Sequence, residues 1–143
     1  MPTTPIGGIF AAATTPFTAD GALDTAAAVA NATALVAAGL KGLVLVGSTG
    51  EAPLVDDAER DALLGAVRPA VPADRWLLMG VGAESTRLTI DRARRAASLG
   101  ADAVLVVAPH YYTGARTLPA QEAHYRAVAG ASPVPEMPFS LPQ

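Results

Sequence analysis

The 143-residue sequence contains no cysteine. That excludes disulfides, thiolate metal sites and cysteine nucleophiles together. Its two histidines, His110 and His124, are too few for most zinc sites, so neither a metal nor another cofactor is expected. Lysine is nearly absent, Lys41 being the only one. Clustered positive charge of the kind that neutralises phosphates is scarce: the net charge is −3, and the one basic cluster, Arg92, Arg94 and Arg95, reads as a solvated helix face. No nucleic-acid partner is expected. Long apolar runs are missing too. No window approaches the roughly 18 unbroken apolar residues of a membrane span, and the first residues lack a basic stretch followed by an apolar core and a cleavage site. A cytoplasmic protein without a membrane partner is therefore the expectation. What is abundant is aliphatic bulk: 51% of the residues are hydrophobic against 5% aromatic, ample for one packed domain over 1–143.

Strand and helix signals alternate along the chain at about 30-residue intervals, the period of βα units. Gly8–Ala13 is a short apolar run. Leu23 to Val36 is Ala-rich and helical, with Asp24 as a reasonable N-cap and Gly39 as its stop. Gly42–Val46 is apolar on both faces, as a buried parallel strand requires. A second helix is expected from about Asp56 to Val67, acidic at its start and closed by Arg68, as the helix dipole favours. Trp76–Met79 is a third strand, Thr86–Leu99 a third helix stopped by Gly100, and Ala103–Val107 a fourth strand. The stretches Ala38–Val46 and Leu99–Val107 repeat one helix-stop-strand unit. A fourth helix, about Ala120–Ala129, precedes Pro133-Val134-Pro135. This is an α/β pattern that fits either a doubly wound sheet or a barrel, and periodicity cannot choose between them.

In both architectures the ligand lies at the carboxyl ends of the strands, so the loops to examine are 14–17, 47–51, 80–85 and 109–114. Gly47-Ser48-Thr49-Gly50-Glu51 is an anion site in outline: its glycines let backbone approach a ligand, and its hydroxyls and N–H groups can hold a carboxylate or phosphate. The competing reading is a glycine-rich turn whose hydroxyls satisfy the next helix's N–H groups, and on spacing alone the two stand level. The loop lacks the Gly-Lys-Ser/Thr ending of a nucleotide-binding loop. In Pro109-His110-Tyr111-Tyr112, a phenol at a strand end can relay a proton, although tyrosines in such places more often pack. His124 is read as facing solvent or a partner.

These residues carry a resemblance. Thr15-Pro16-Phe17, Asp20-Gly21, Leu23-Asp24, Gly47-Ser48-Thr49-Gly50-Glu51 with Leu54 and Glu59-Arg60, Gly80-Val81-Gly82, Gly100-Ala101-Asp102-Ala103 and Pro109-His110-Tyr111-Tyr112 follow in order over nearly all of the chain. Together they resemble the dihydrodipicolinate synthase/N-acetylneuraminate lyase family of Schiff-base aldolases. Glu84-Ser85-Thr86, Tyr111-Tyr112-Thr113-Gly114 and Ser132-Pro133-Val134-Pro135 look closest to its 4-hydroxy-2-oxoglutarate aldolase-like members. The resemblance implies the N-terminal portion, about four to five βα units, of a TIM (β/α)8 barrel. It also implies a lyase that joins a lysine to the keto group of pyruvate, because a protonated imine stabilises the enamine at the methyl carbon. Carried over by position, Ser48 and Thr49 would hold the pyruvate carboxylate, with Ser48 also in a proton relay. Tyr111, or Tyr112 if the loop slips by one, would be the relay tyrosine offered across a subunit interface in a homo-oligomer, dimer or tetramer.

Two departures qualify that resemblance. Phe139 stands where the family has its general acid/base tyrosine, and phenylalanine has no proton to give. Glu136 and Pro138 are poor in a buried central strand, so a degraded or disordered tail is expected over about 133–143. The family's lysine falls beyond Gln143, and Lys41, at the amino end of its strand, sits on the wrong face of a βα layer. The chain is thus expected to be a fragment inactive alone. A non-catalytic 2-oxoacid-binding or oligomerisation module and a degraded pseudo-enzyme are the alternatives. Half a barrel should also self-associate, join a complementary piece or be poorly stable.

Overall fold

The computed structural model describes residue 2 and residues 5–140. Five strands, β1 (Phe10–Ala12), β2 (Gly42–Leu45), β3 (Trp76–Gly80), β4 (Ala103–Val107) and β5 (Glu136–Phe139), alternate with four helices, α1 (Thr25–Ala37), α2 (Asp57–Val67), α3 (Thr86–Ser98) and α4 (Leu118–Ala131). Every strand pairing is parallel and the sheet order is β1-β2-β3-β4-β5, so each helix carries the chain over to the strand that pairs next. A doubly wound sheet reverses its strand order at a switch point, whereas strands that pair in simple sequence order are what a barrel wall requires.

Local chemistry sets the helix ends. Asp24 accepts the Ala27 N–H at 2.9 Å, which starts α1 at Thr25 rather than at Leu23, and Gly39 leaves that helix at a φ of 86°. Asp56 and Glu59 form a reciprocal capping box on α2, each side chain accepting the other's N–H, at 2.8 and 2.9 Å. Ser85 caps α3 and Gly100, at a φ of 95°, follows it. Thr117 caps α4, and a proline in the first turn fits the helix start, so α4 is longer at both ends than its Ala-rich centre suggests.

The sheet has two apolar faces. On the outer one, Leu43, Leu45, Leu77, Met79, Val104 and Val106 pack against helix residues such as Ala32, Leu63, Leu64, Ala93 and Val128. Each large side chain so buried contributes about 1.5–3 kcal/mol. On the inner face Trp76, Leu78 and Ala103 cluster with Phe10, Val44 and Met137. The basic cluster of α3 divides. Arg94 is exposed, Arg95 pairs with Asp61, and Arg92 reaches Asp57 at 2.7 Å and the Gly82 carbonyl at 3.0 Å.

Residues 136–139, in the segment expected to be degraded, form β5, paired with β4 from Val104↔Glu136 to Val107↔Phe139. The Val104 N–H donates to the Pro135 carbonyl at 2.9 Å, so Pro138 occupies the side of β5 away from β4, where its missing N–H breaks no ladder bond. Glu136 keeps both carboxylate oxygens shielded and unpartnered among the described residues, and burial raises its pKa. Residues 141–143 of the expected tail lie outside the described residues. None of the described helices is long and apolar enough to cross a membrane.

Candidate functional site

The loop after β2 departs from ordinary backbone at both ends: Val46 has a φ of 52° and Glu51 one of 56°, left-handed values that a non-glycine residue adopts only when its surroundings enforce them. The enforcement is visible. A Cβ on Gly80 would fall 1.9 Å from the Val46 carbonyl oxygen, and one on Gly50 would fall 2.9 Å from the Val46 nitrogen. Only glycines let β3 and the loop close on that turn. From the loop after β1, buried Thr15 donates its hydroxyl to the Gly50 carbonyl at 2.7 Å. Arg60, buried on α2, donates to the carbonyls of Val55, Ala52 and Gly80, tying the far end of the loop to β3. Burial, with Arg92 nearby, brings its pKa down to about 10, which leaves it charged at neutral pH.

The loop closes through Glu51 N–H to Ser48 carbonyl and Ala52 N–H to Gly47 carbonyl bonds, both 3.2 Å. The N–H groups of Ser48, Thr49 and Gly50 and the hydroxyls of Ser48 and Thr49 then donate to nothing among the described residues. Glu51 caps the following turn without a side-chain bond, so the hydroxyls are not used as helix caps. That leaves a row of unspent donors at a strand's carboxyl end, which suits an anion.

Beside them opens a cleft of about 310 Å³, lined by residues of the 46–53 loop, by Gly80 and Gly82, and by Leu105, Val107 and Ala108 of β4 and its end. His110, Arg116, Phe139 and Ser140 complete it. Among the described residues no acidic side chain lines it. The volume suits a small molecule, and the mostly apolar wall with few polar groups is the usual make-up of such sites.

Of the residues singled out from sequence, Ser48 and Phe139 line this cleft; Thr49 and Tyr111 do not. Tyr111 is 75% exposed and Tyr112 72%, their rings edge-on with centroids 5.0 Å apart. Their loop is held from behind by Glu84, whose carboxylate accepts the N–H groups of His110 and Tyr111 at 3.1 Å and faces His110 Nδ1 at 3.2 Å. Lys41 is exposed at the amino end of β2, where its N–H bonds the Ile9 carbonyl, at the end of the sheet away from the cleft. His124 corrects the expectation of a residue facing solvent or a partner: it is buried between α3 and α4, 2.9 Å from the Thr86 hydroxyl, and burial lowers its pKa. Arg116 drew no attention in the sequence, because its loop carries no motif of its own, yet it supplies the cleft's permanent positive charge. Among the described residues no group of three histidine, aspartate or glutamate side chains gathers as a metal site.

The sequence profile described as the Dihydrodipicolinate synthetase family matches residues 5–143. The 4-hydroxy-tetrahydrodipicolinate synthase 1 of Streptomyces coelicolor is 48% identical over 138 residues, which is 96% of this chain and 45% of that protein. Among solved structures, the chloride-inhibited dihydrodipicolinate synthase from Acinetobacter baumannii complexed with pyruvate superposes with a TM-score of 0.90 at 31% identity, covering 96% of this chain and 46% of that one. The N-acetylneuraminate lyase from Mycoplasma synoviae gives 0.84 at 28%, covering 94% and 46%. The chain spans about half the length of the curated relatives it matches, and its five strands are the N-terminal half of their TIM barrel.

Proposed function

Since this chain belongs to the dihydrodipicolinate synthetase family, we propose that it forms the carboxylate-binding half of the active site of a pyruvate-dependent carbon–carbon lyase, cytoplasmic and homo-oligomeric. The carrying observation is the row of unspent donors at Ser48, Thr49 and Gly50, of which Ser48 lines a cleft that has no acidic side chain among the described residues. A pyruvate carboxylate accepted there leaves the keto carbon over the strand ends. In this reading a lysine outside these 143 residues forms the imine, whose positive nitrogen draws electrons from the methyl carbon and turns it into a nucleophile toward an aldehyde. Ser48, with a free hydroxyl at the cleft wall, is placed to pass a proton. Tyr111 is the relay tyrosine offered to a neighbouring subunit, with Tyr112 beside it. Their exposure and the Glu84 clamp on their backbone support that role. Lys41, at the far end of β2, takes no part.

Titration of the chain with pyruvate by calorimetry tests this. Saturable binding is expected, and Ser48→Ala weakens it about tenfold, the loss of one hydrogen bond to a charged group. Absence of pyruvate binding, or binding indifferent to Ser48, overturns the reading.

A second reading, a non-catalytic 2-oxoacid-binding or oligomerisation module, is favoured by one observation. Phe139 presents an apolar ring to the cleft at the end of β5, where the reaction needs a hydroxyl.

A further inference from the structure

Wherever a strand supplies a side chain to the cleft, that side chain is apolar. Along β4 the residues alternate: Val104 and Val106 point to the helices and are fully buried, while Leu105 and Val107 line the cleft and are only half-buried. The pairing Val107↔Phe139 sets Phe139, also half-buried, beside Val107 on the same face of the sheet. The Tyr125 hydroxyl, donating to the Phe139 carbonyl at 3.4 Å, ties that strand end to α4. The wall begins at the donor loop itself, since a Cβ on Gly47 would lie 3.8 Å from a Leu105 methyl carbon. β3 and its end add only Gly80 and Gly82, which have no side chain to fill the space beside it. Val107 leans over Gly82, where a Cβ would meet its Cγ1 at 2.6 Å. The polar side chains of the lining, Ser48, His110, Arg116 and Ser140, all come from segments that follow the strands. Leu105, Val107 and Phe139 thus form an apolar strip that starts beside the unspent donors and that solvent still reaches.

We propose that this strip is a specificity subsite with Phe139 at its end, so that the cleft takes 2-oxoacids whose far end, beyond the reacting carbons, is an alkyl group. The inference rests on the carboxylate site proposed at Ser48, Thr49 and Gly50. With the carboxylate held there, pyruvate leaves most of the strip wet, and a longer ligand runs along it. An alkyl tail gains by taking both its own surface and that of Phe139 out of water. A tail ending in a hydroxyl loses that gain, because the strip offers its oxygen no partner to replace water. Phe139 therefore does more than lack a proton: its ring selects the substrate's apolar end.

The test compares three ligands on the chain by calorimetry: pyruvate, 2-oxopentanoate and 4-hydroxy-2-oxobutanoate, in which a hydroxyl replaces the terminal methyl of 2-oxopentanoate. 2-Oxopentanoate is expected to bind about tenfold tighter than pyruvate, the worth of two buried methylenes, and 4-hydroxy-2-oxobutanoate within about threefold of pyruvate. Phe139→Ala lowers the preference for 2-oxopentanoate over pyruvate to about threefold or less, while Phe139→Leu, still apolar, keeps most of it. That preference is a ratio of two affinities measured on one preparation, so a variant that is partly unfolded leaves it readable. Equal affinity for pyruvate and 2-oxopentanoate overturns the inference alone, as does 4-hydroxy-2-oxobutanoate binding as tightly as 2-oxopentanoate. A preference unchanged in Phe139→Ala overturns it too, since the alkyl group then lies elsewhere on the sheet. Binding of 2-oxopentanoate with none of pyruvate overturns the pyruvate reading and leaves the apolar subsite standing. If no oxoacid binds at all, the inference and the carboxylate site fall together.

Discussion

At the scale of single residues, the site depends on Gly80, which lines the cleft but has no side chain to offer a ligand. The left-handed turn at Val46 brings its carbonyl against Gly80 so closely that any side chain there must displace backbone on one strand or the other. Gly80→Ala is therefore expected to destabilise the chain by more than about 2 kcal/mol, or to flip the loop and abolish pyruvate binding if the fold survives. Thermal melting together with the pyruvate titration checks both arms, and an unchanged melting temperature with unchanged binding would show that the close approach is not needed. The tripeptide Gly80-Val81-Gly82 was legible in the sequence as a strand-end loop, but its reason was not. Sequence places Val46 at the end of an apolar run and says nothing of its φ. Ser48 was legible through the resemblance, since on spacing alone its hydroxyl could equally have capped the next helix. Arg116 was not, since an arginine in a polar loop is ordinarily solvated and only the fold reveals that its Nε is shielded without a partner among the described residues.

At the scale of elements, the first four strands and the four helices were read to within about two residues, because the helix signals are local, Asp24, Asp56 and Ser85 being caps and Gly39 and Gly100 stops, whereas β5 was not, since Glu136 and Pro138 argue locally against a strand that pairing with β4 makes. Side-chain partners across elements are non-local, and His124 shows the difference. It packs between α4 and α3 on the Thr86 hydroxyl, with Nε2 shielded and unpartnered, so a proton there would be a buried, unpaired charge. Its folded pKa lies below the ordinary 6.5 because of that burial. The unfolded chain then binds the proton more tightly, so the contribution of His124 to stability is full above pH 6.5 and is lost as pH falls through the depressed folded value. Glu136 runs the other way: its raised pKa makes its contribution full below 4.5 and lost as pH rises through the folded value. The expected outcome is that, as pH falls below 6.5, the melting temperature of the native chain drops relative to that of His124→Asn, which keeps a partner for Thr86 without titrating. Equal slopes in the two proteins would place the titrating group elsewhere.

At the scale of the whole molecule, the five strands make a curved wall with one sheet face covered and the other only partly so. Helices cover the outer face, while Trp76, Leu78 and Ala103 on the inner face are sheltered by Phe10, Val44 and Met137, all three of them only half-buried. Among the described residues β1 and β5 each have one strand neighbour, so each presents a row of backbone groups to the outside. A closed barrel has no such edges. In relatives of about twice this length, further strands stand where these edges lie open. Pro138 blunts β5 by removing one donor, and its N–H-less position faces outward. β1 is short, but it carries no proline, so its outward donors stay free to pair. The 143-residue polypeptide by itself is therefore expected to self-associate through β1, giving a mass by light scattering above that of the 14.4 kDa chain and rising with concentration. Ala12→Pro, which fixes φ and places a ring at that edge, should lower the associated fraction without removing ordered helix by circular dichroism. A sharp monomer at all concentrations would mean that the curvature of the sheet and the sheltered inner face already satisfy the chain, and that the edge of β1 is too short to recruit a partner.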